Sequence, residues 1–316
     1  MRLSPELFRQ RIEAVRTEYL HCRLCSRRCG VDRTVGPAGV CQLGTSALCY
    51  KEFIHYGEEE HLVPSHTVYL SGCSFRCIFC SDDAHVRKPS LGTELSANQL
   101  AWLIQKRRLE GARNVNFVGG TPDVHLLAIL EALALCPSDT TVVWNSNLYM
   151  SADSLEYLRG IVDVWLIDLK FGNNQCGRLS GVTDYLSVLR PALQYCATDP
   201  GSELTVRHLL MPGHFDCCTV PSLDWAARHL ADATINLMTT YIPFAKAQKH
   251  PVLGRRATAL EVEIATSYFL SLPFQRPMVN GRFVRQPSSR TTKTEHVILP
   301  ETATGQAPRP DPNRRG

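Results

Sequence analysis

Cys73, Cys77 and Cys80 sit in the stretch Ser71-Gly72-Cys73-Ser74-Phe75-Arg76-Cys77-Ile78-Phe79-Cys80, a Cys-x3-Cys-x2-Cys spacing that puts three thiolates on one short loop. Thiolates are soft ligands and suit zinc or an iron–sulfur cluster. Structural zinc normally takes four ligands, so three on one loop fit it poorly unless a distant residue joins. On a cubane cluster the same three would leave one iron open to a substrate. Buried cysteines can also serve as plain packing, but that role does not require this spacing.

A second set, Cys22, Cys25, Cys29 and Cys41, is spaced Cys-x2-Cys-x3-Cys-x11-Cys and interleaved with Gly30, Gly36, Gly39 and Gly44. Four thiolates with a tight knuckle and a longer return loop match a closed tetrahedral site. The residue types leave zinc and an auxiliary iron–sulfur cluster both open. Either metal would contribute binding energy to a segment with few core residues. The vicinal pair Cys217-Cys218 follows an apolar stretch beside Pro212-Gly213-His214. Adjacent cysteines bridge each other only with strain, so these two are candidates to face a substrate or donate a hydrogen atom.

The composition supports a metal reading. Eight of the thirteen cysteines lie between positions 22 and 80. No signal-peptide pattern opens the chain and no apolar run approaches a membrane span. The expected compartment is therefore the cytoplasm, where clustered cysteines more often bind metal than form disulfides. With 44% hydrophobic and 20% charged residues, 316 residues can build a real core. Disordered, coiled-coil and collagen-like chains are excluded. The net charge of +4 sits in the tail, which carries +5 from Arg276 onward against about −1 for the body. A neutral body and a tail without interleaved aromatics give no expectation of nucleic-acid binding, and no membrane partner is expected.

Positioning these groups falls to an alternating pattern of strands and helices. An N-terminal helix over 1–20, with Ser4 as cap and Pro5 in its first turn, precedes the cysteine-rich segment 21–50. Strands are expected at 66–71, 114–118, 141–145, 162–169, 203–210 and 234–239. Helices are expected near 96–110, 123–135, 151–159, 183–197 and 220–231, and a last one near 257–271. Six strands separated by single helices predict parallel βαβ units over 66–275, an α/β fold with strands apolar on both faces. A barrel and an open doubly wound sheet fit this pattern equally well. Segment 285–316 reads as a disordered basic tail. Parallel α/β sheets place their sites at the carboxyl ends of the strands. Those ends carry the Cys73 loop, Gly119-Gly120-Thr121-Pro122, Asn145-Ser146-Asn147, Asp168-Leu169-Lys170 and Arg207-His208.

The three-cysteine loop, with Phe79 just before its last cysteine, resembles the cluster-binding signature of the radical S-adenosylmethionine (SAM) enzymes. Gly119-Gly120-Thr121-Pro122 is similar to the Gly-Gly-Glu-Pro stretch that holds the methionine amino group there, with Thr121 replacing the glutamate. The six βα units agree with the superfamily's partial (β/α)6 barrel, here with an N-terminal cysteine-rich metal-binding extension. Within the superfamily the chain most resembles relatives of pyruvate formate-lyase activating enzyme. The resemblance runs from Cys22 to Phe244 and includes the Asp168-Leu169-Lys170 segment and the Arg207 strand.

The resemblance implies a [4Fe–4S] cluster on Cys73, Cys77 and Cys80. It also implies SAM bound near Phe79, Gly119, Gly120, Thr121, Asn145, Asn147, Asp168, Lys170 and Arg207. Reductive cleavage of SAM would give a 5′-deoxyadenosyl radical that abstracts hydrogen, with an electron donor such as flavodoxin or ferredoxin and, for a glycyl-radical activase, a protein substrate. Cys217, Cys218 and His208 are the candidates for a further catalytic role. The alternatives are a radical SAM enzyme acting on a small molecule or peptide side chain, and a non-catalytic metal-stabilised interaction protein. Formation of 5′-deoxyadenosine after reduction separates enzyme from scaffold.

Overall fold

The computed structural model describes residues 3–285. Helix α1 (Pro5–Glu18) starts as its sequence dictates, with the Leu7 amide donating to Ser4 Oγ at 3.3 Å. Its Phe8, Ile12 and Val15 recur at helical spacing and are buried. The other α-helices are α2 (Asp83–Arg87), α3 (Ala97–Leu109), α4 (Leu126–Ala134), α5 (Ala152–Leu158), α6 (Asn174–Gly177), α7 (Tyr185–Ala197), α8 (Val220–His229) and α9 (Ala259–Ser271). Capping boxes start α3, from Ser96 and Gln99, and α9, from Thr258 and Glu261. No helix among the described residues is long and apolar enough to cross a membrane.

One sheet contains β1 (Ala47–His55), β2 (Ser65–Leu70), β3 (Thr93–Leu95), β4 (Asn114–Gly119), β5 (Val142–Ser146), β6 (Val164–Asp168), β7 (Glu203–Leu209), β8 (Thr234–Met238), β9 (Arg276–Val279) and β10 (Arg282–Phe283). Their order is β10-β9-β8-β7-β6-β5-β4-β2-β1-β3. Neighbours from β2 to β9 run parallel, while β1, β3 and β10 add antiparallel edges. The sheet does not close on itself.

The six expected strands are β2, β4, β5, β6, β7 and β8. The antiparallel edges lack a legible pattern because β1 is mostly half-buried and β3 and β10 are very short. Strand β1 begins inside the cysteine-rich segment, and Cys22, Leu24 and Cys49 belong to the main hydrophobic cluster. That segment is packed into the body rather than appended to it. Strand β9 begins just past residue 275. Apart from Arg285, the basic segment 285–316 lies outside the described residues.

The expectation of strands apolar on both faces is corrected by the alternation along them. Val68, Phe117, Trp144, Trp165, Val206 and Ile235 join the main cluster that the helices cover. On the opposite face stand Thr67, Asn116, Asn145, Asp168, Arg207 and Asn236, with only Leu62, Val143, Val164 and Leu166 forming an apolar cluster there. This face is covered by the loop between β1 and β2 instead of helices. Asn116 of β4 donates to Glu58 of that loop at 2.6 Å, and Asn236 of β8 donates to its Glu59 at 2.9 Å. A polar cover of this kind satisfies polar strand residues that an apolar helix face would leave unpaired.

Candidate active site

The three-cysteine loop leaves the carboxyl end of β2. Gly72 turns the chain at φ +75°, where a Cβ would lie 2.8 Å from Leu43 Cδ1 and 3.0 Å from the Cys41 carbonyl oxygen. Cys73 is buried. Its thiol donates to the Gly120 carbonyl at 3.0 Å, and its sulfur accepts from the Phe75 amide at 3.3 Å and Asn147 Nδ2 at 3.4 Å. Cys77 shares a 2.9 Å hydrogen bond with Ser180 Oγ. Arg76 ties the loop down by donating to the carbonyls of Cys73 and Phe75, both at 2.8 Å, and to that of Val40. Phe79 meets Phe171 and Tyr241 edge-on, with ring centroids 6.1 and 6.3 Å away.

Strand β4 ends against this loop. A Cβ on Gly120 would lie 1.6 Å from the Gly72 carbonyl oxygen, so backbone meets backbone with no room for a side chain. From β6 and β7 come three charged groups. Asp168 pairs with Lys170 Nζ at 2.5 Å and with Arg207 Nε at 3.0 Å, and Arg207 also donates to Asn145 Oδ1. Burial alone would raise the Asp168 pKa, but Lys170 and Arg207 outweigh it and hold the carboxylate below its ordinary value.

Cys73, Cys77, Cys80, Phe79, Gly119, Gly120, Asn145, Asn147, Asp168, Lys170 and Arg207 all line one cavity of about 360 Å³, with Met238, Tyr241, Ile242 and Phe244 from the end of β8. Strands about 4.8 Å apart would spread β2 through β8 over roughly 24 Å if the sheet were flat. A shared cavity therefore requires a curved sheet, and the polar face is the concave one.

Four candidates are not brought to this cavity. Thr121 is buried outside its lining, with Oγ1 3.5 Å from Ser146 Oγ. His208 alternates with Arg207 and points to the opposite face. There its Nδ1 donates to the Leu169 carbonyl at 2.8 Å and its Nε2 accepts from Thr219 Oγ1 at 3.0 Å. Burial lowers its pKa to about 4, so the ring is neutral. Cys217 is exposed and Cys218 buried, and neither borders the cavity.

The sequence reading missed several residues around the site. Glu58, in the loop between β1 and β2, approaches Arg207 from the concave side. Burial raises its pKa to about 7, against a lowering by Arg207, and neighbouring Glu59 raises it further. Glu59 is buried, with Oε2 lacking a hydrogen-bond partner. Asp123, two residues beyond Thr121, is fully buried and accepts from Trp144 Nε1 at 2.9 Å and from Ser146 Oγ at 2.7 Å. No local spacing signals either contact.

The N-terminal thiols also converge. Cys22, Cys25, Cys29 and Cys41 border one small void together with Arg33. Arg33 is 1% exposed and donates to the carbonyls of Leu43 at 3.0 Å, Gly44 at 2.6 Å and Val124 at 2.8 Å. Its remaining nitrogen lies 3.8 Å from Cys22 Sγ, and no carboxylate pairs with it among the described residues. A guanidinium is always charged; this one lies over the Tyr19 ring at 4.3 Å, and a buried charge without an anionic partner is costly.

The donor set at the cavity fits the cluster and SAM that the resemblance implies. Burial pushes the thiols of Cys73, Cys77 and Cys80 up, the last to about 12. A metal supplies the positive charge that buried thiolates need. Gly119 and Gly120 border the cavity with backbone alone, and Lys170 and Arg207 offer charge to a carboxylate.

A family model described as the radical SAM superfamily matches residues 67–226. The chain is 37% identical over 281 residues to the uncharacterized protein MJ0674 of Methanocaldococcus jannaschii, covering 85% of this chain and 81% of that protein. Among solved structures it is similar to Streptococcus suis SuiB bound to precursor peptide SuiA, at 15% identity and a TM-score of 0.48, covering 67% of this chain and 48% of SuiB. The chain thus spans about half the length of SuiB. A radical SAM methyltransferase from Sphaerobacter thermophilus is 16% identical with a TM-score of 0.45, covering 69% of this chain and 66% of that one. QueE from Escherichia coli is 14% identical with a TM-score of 0.43, covering 74% of this chain and 92% of that one. By its sequence, this chain belongs to the radical SAM superfamily.

Proposed function

We propose that this chain is a radical SAM enzyme in which Cys73, Cys77 and Cys80 hold a [4Fe–4S] cluster and the adjoining cavity binds SAM. The observation that carries this reading is the meeting of three thiols, a glycine pair and two cations on one cavity. When bound and reduced, the cofactors supply a 5′-deoxyadenosyl radical for hydrogen abstraction. The chain's own residues bind and orient. Release of the Cys73 thiol proton frees the Gly120 carbonyl to accept from an amino group instead. Arg207 and Lys170, held by Asp168, face the carboxylate of the methionine moiety. Phe79 and Tyr241 offer an apolar wall for adenine.

The substrate in this proposal is a protein or peptide segment presented at the rim. The cavity is near the small end of the roughly 300–1,000 Å³ typical of ligand pockets. SAM would occupy most of it and leave the substrate outside. Ile242 and Phe244, which border the cavity and are more than a third exposed, suit such a contact. Activation of a glycyl radical enzyme, with hydrogen taken from a glycine Cα, is the form that the activating-enzyme resemblance supports. Flavodoxin or ferredoxin would supply the electron.

The N-terminal cysteines are proposed to hold a second metal, zinc or an auxiliary iron–sulfur cluster. Buried Arg33 supports this, because a metal bound by four thiolates carries net negative charge in either case.

Anaerobic reconstitution followed by metal analysis and a 5′-deoxyadenosine assay with dithionite tests the proposal. Reductive SAM cleavage with at least about four irons per chain is expected. A chain with a full cluster and bound SAM that forms no 5′-deoxyadenosine would overturn the catalytic reading. Zinc or extra iron, lost in Cys25→Ser, would identify the second metal.

A further inference from the structure

Three further thiols meet on the carboxyl-end side of β6 and β7, outside the cavity. Cys176 lies in α6. Cys217 and Cys218 lie in one π-helical turn, Phe215–Thr219, that leads into α8. Single π-turns are an unusual backbone choice and often mark functional sites. All three sulfurs lie within 4.8 Å of one another, with Cys176 to Cys217 and Cys217 to Cys218 each at 3.8 Å. No other group of three His, Cys, Asp or Glu side chains among the described residues meets that spacing.

The two loops are clamped in this arrangement. Asn173 Nδ2 donates to Cys176 Sγ at 3.3 Å and to the Cys217 carbonyl at 2.7 Å, while its Oδ1 accepts from the Cys176 amide at 2.7 Å. A Cβ on Gly172 would lie 2.8 Å from the carbonyl oxygens of both Cys217 and Cys218, so the loops pack without a gap.

Sulfur separations distinguish what such a trio can hold. A disulfide needs sulfurs about 2.0 Å apart. Tetrahedral zinc with Zn–S arms of about 2.3 Å places its thiolates about 3.8 Å apart. We propose that Cys176, Cys217 and Cys218 bind one Zn²⁺ through three thiolates, with the fourth coordination position open to solvent beside exposed Cys217. Binding releases the three thiol protons to solvent, so affinity rises with pH. Asn173 is the positioning residue, since its amide donates to one ligating sulfur and fixes the backbone of another. The ion pins the loop after β6 to the loop after β7.

The test uses the full chain, purified anaerobically and titrated with Zn²⁺ and separately with Cd²⁺. Cys176→Ser and Cys217→Ser should each bind one equivalent less than the parent and lose part of the cadmium–thiolate charge-transfer absorption. Cys22→Ser should keep that equivalent. Asn173→Ala should retain the site with roughly ten- to hundredfold weaker affinity. Cys217 is exposed, so its serine variant should melt like the metal-free parent, separating loss of the site from loss of the fold. Unchanged metal stoichiometry in Cys217→Ser, or a Cys176–Cys217 disulfide in the anaerobic protein by mass spectrometry, would overturn the proposal.

Discussion

Arg207 and Asp168 are register partners on neighbouring parallel strands, and the arginine Nε donates to the carboxylate at 3.0 Å. Lys170 takes the second carboxylate oxygen, so one acid holds two cations at the cavity wall. Replacing Arg207 with Gln should raise the Kd for SAM by roughly ten- to a hundredfold, the effect of a charged hydrogen bond worth about 1.5–3 kcal/mol. Equilibrium binding measures it. An unchanged Kd would remove Arg207 from SAM recognition. The depressed Asp168 pKa also sets a pH window. Its contribution is complete above its unfolded value of 3.8 and is lost as pH falls through the lower folded value. The stability gap between the parent and Asp168→Asn should therefore shrink only in acid.

Glu58 has the opposite sign. Its folded pKa of about 7 lies above the unfolded value of 4.5, because burial disfavours its charge by more than Arg207 restores, and Glu59 adds to the rise. The folded state binds the extra proton, so this contribution is complete below pH 4.5 and is lost as pH rises through about 7. Relative to Glu58→Gln, the parent should lose up to about 3 kcal/mol across that window. Denaturant melts at pH 5 and pH 8 check this, and parallel curves would refute it.

Two glycines separate backbone strain from backbone contact. Gly120→Ala places a Cβ 1.6 Å from the Gly72 carbonyl oxygen and must displace the Cys73 loop. It should lose cluster iron or fail to fold. At Gly111, with φ +101° and nothing within 4 Å, the alanine variant meets only the conformational cost. A loss of about 1–2 kcal/mol with full iron content is expected there. Iron analysis and thermal melts of both variants provide the comparison.

Cys77→Ala should abolish 5′-deoxyadenosine formation and lower iron by up to about four atoms per chain. Circular dichroism should still report a folded protein, since one half-buried thiol contributes little to the core. Residual SAM cleavage would exclude Cys77 as a ligand.

Arg33→Met removes the buried cation beside the N-terminal thiols. If those thiols hold a metal, the variant leaves their negative charge uncompensated, at a cost of about 3–5 kcal/mol. The second metal should then bind more weakly and the melting temperature should fall. Metal content equal to that of the parent after dialysis against a chelator would show that Arg33 does not compensate the site.

Local chemistry was legible in the sequence because its parts lie close together along the chain. The Cys73 loop spans a few residues, so its spacing already presents three thiols. The caps at Ser4, Ser96 and Ser151 act across a single helical turn, and each accepts the amide its position implies. Six of the seven parallel strands were readable from apolar runs, while short β9 was not. The antiparallel edges were not, since β1 pairs with β2 through partly exposed residues.

Facing and convergence were decided by the tertiary structure. Alternation along β7 shows that Arg207 and His208 lie on opposite faces, but it does not say which face is concave. That depends on how the sheet curves and on the β1–β2 loop covering one side. The same holds for Glu58 against Arg207, for Arg33 beside the cysteines, and for Cys176 meeting Cys217 from 41 residues away. Periodicity constrains a residue relative to its chain neighbours. Contacts between distant segments follow from packing the whole chain, and they decided which of this protein's polar and thiol groups share a site.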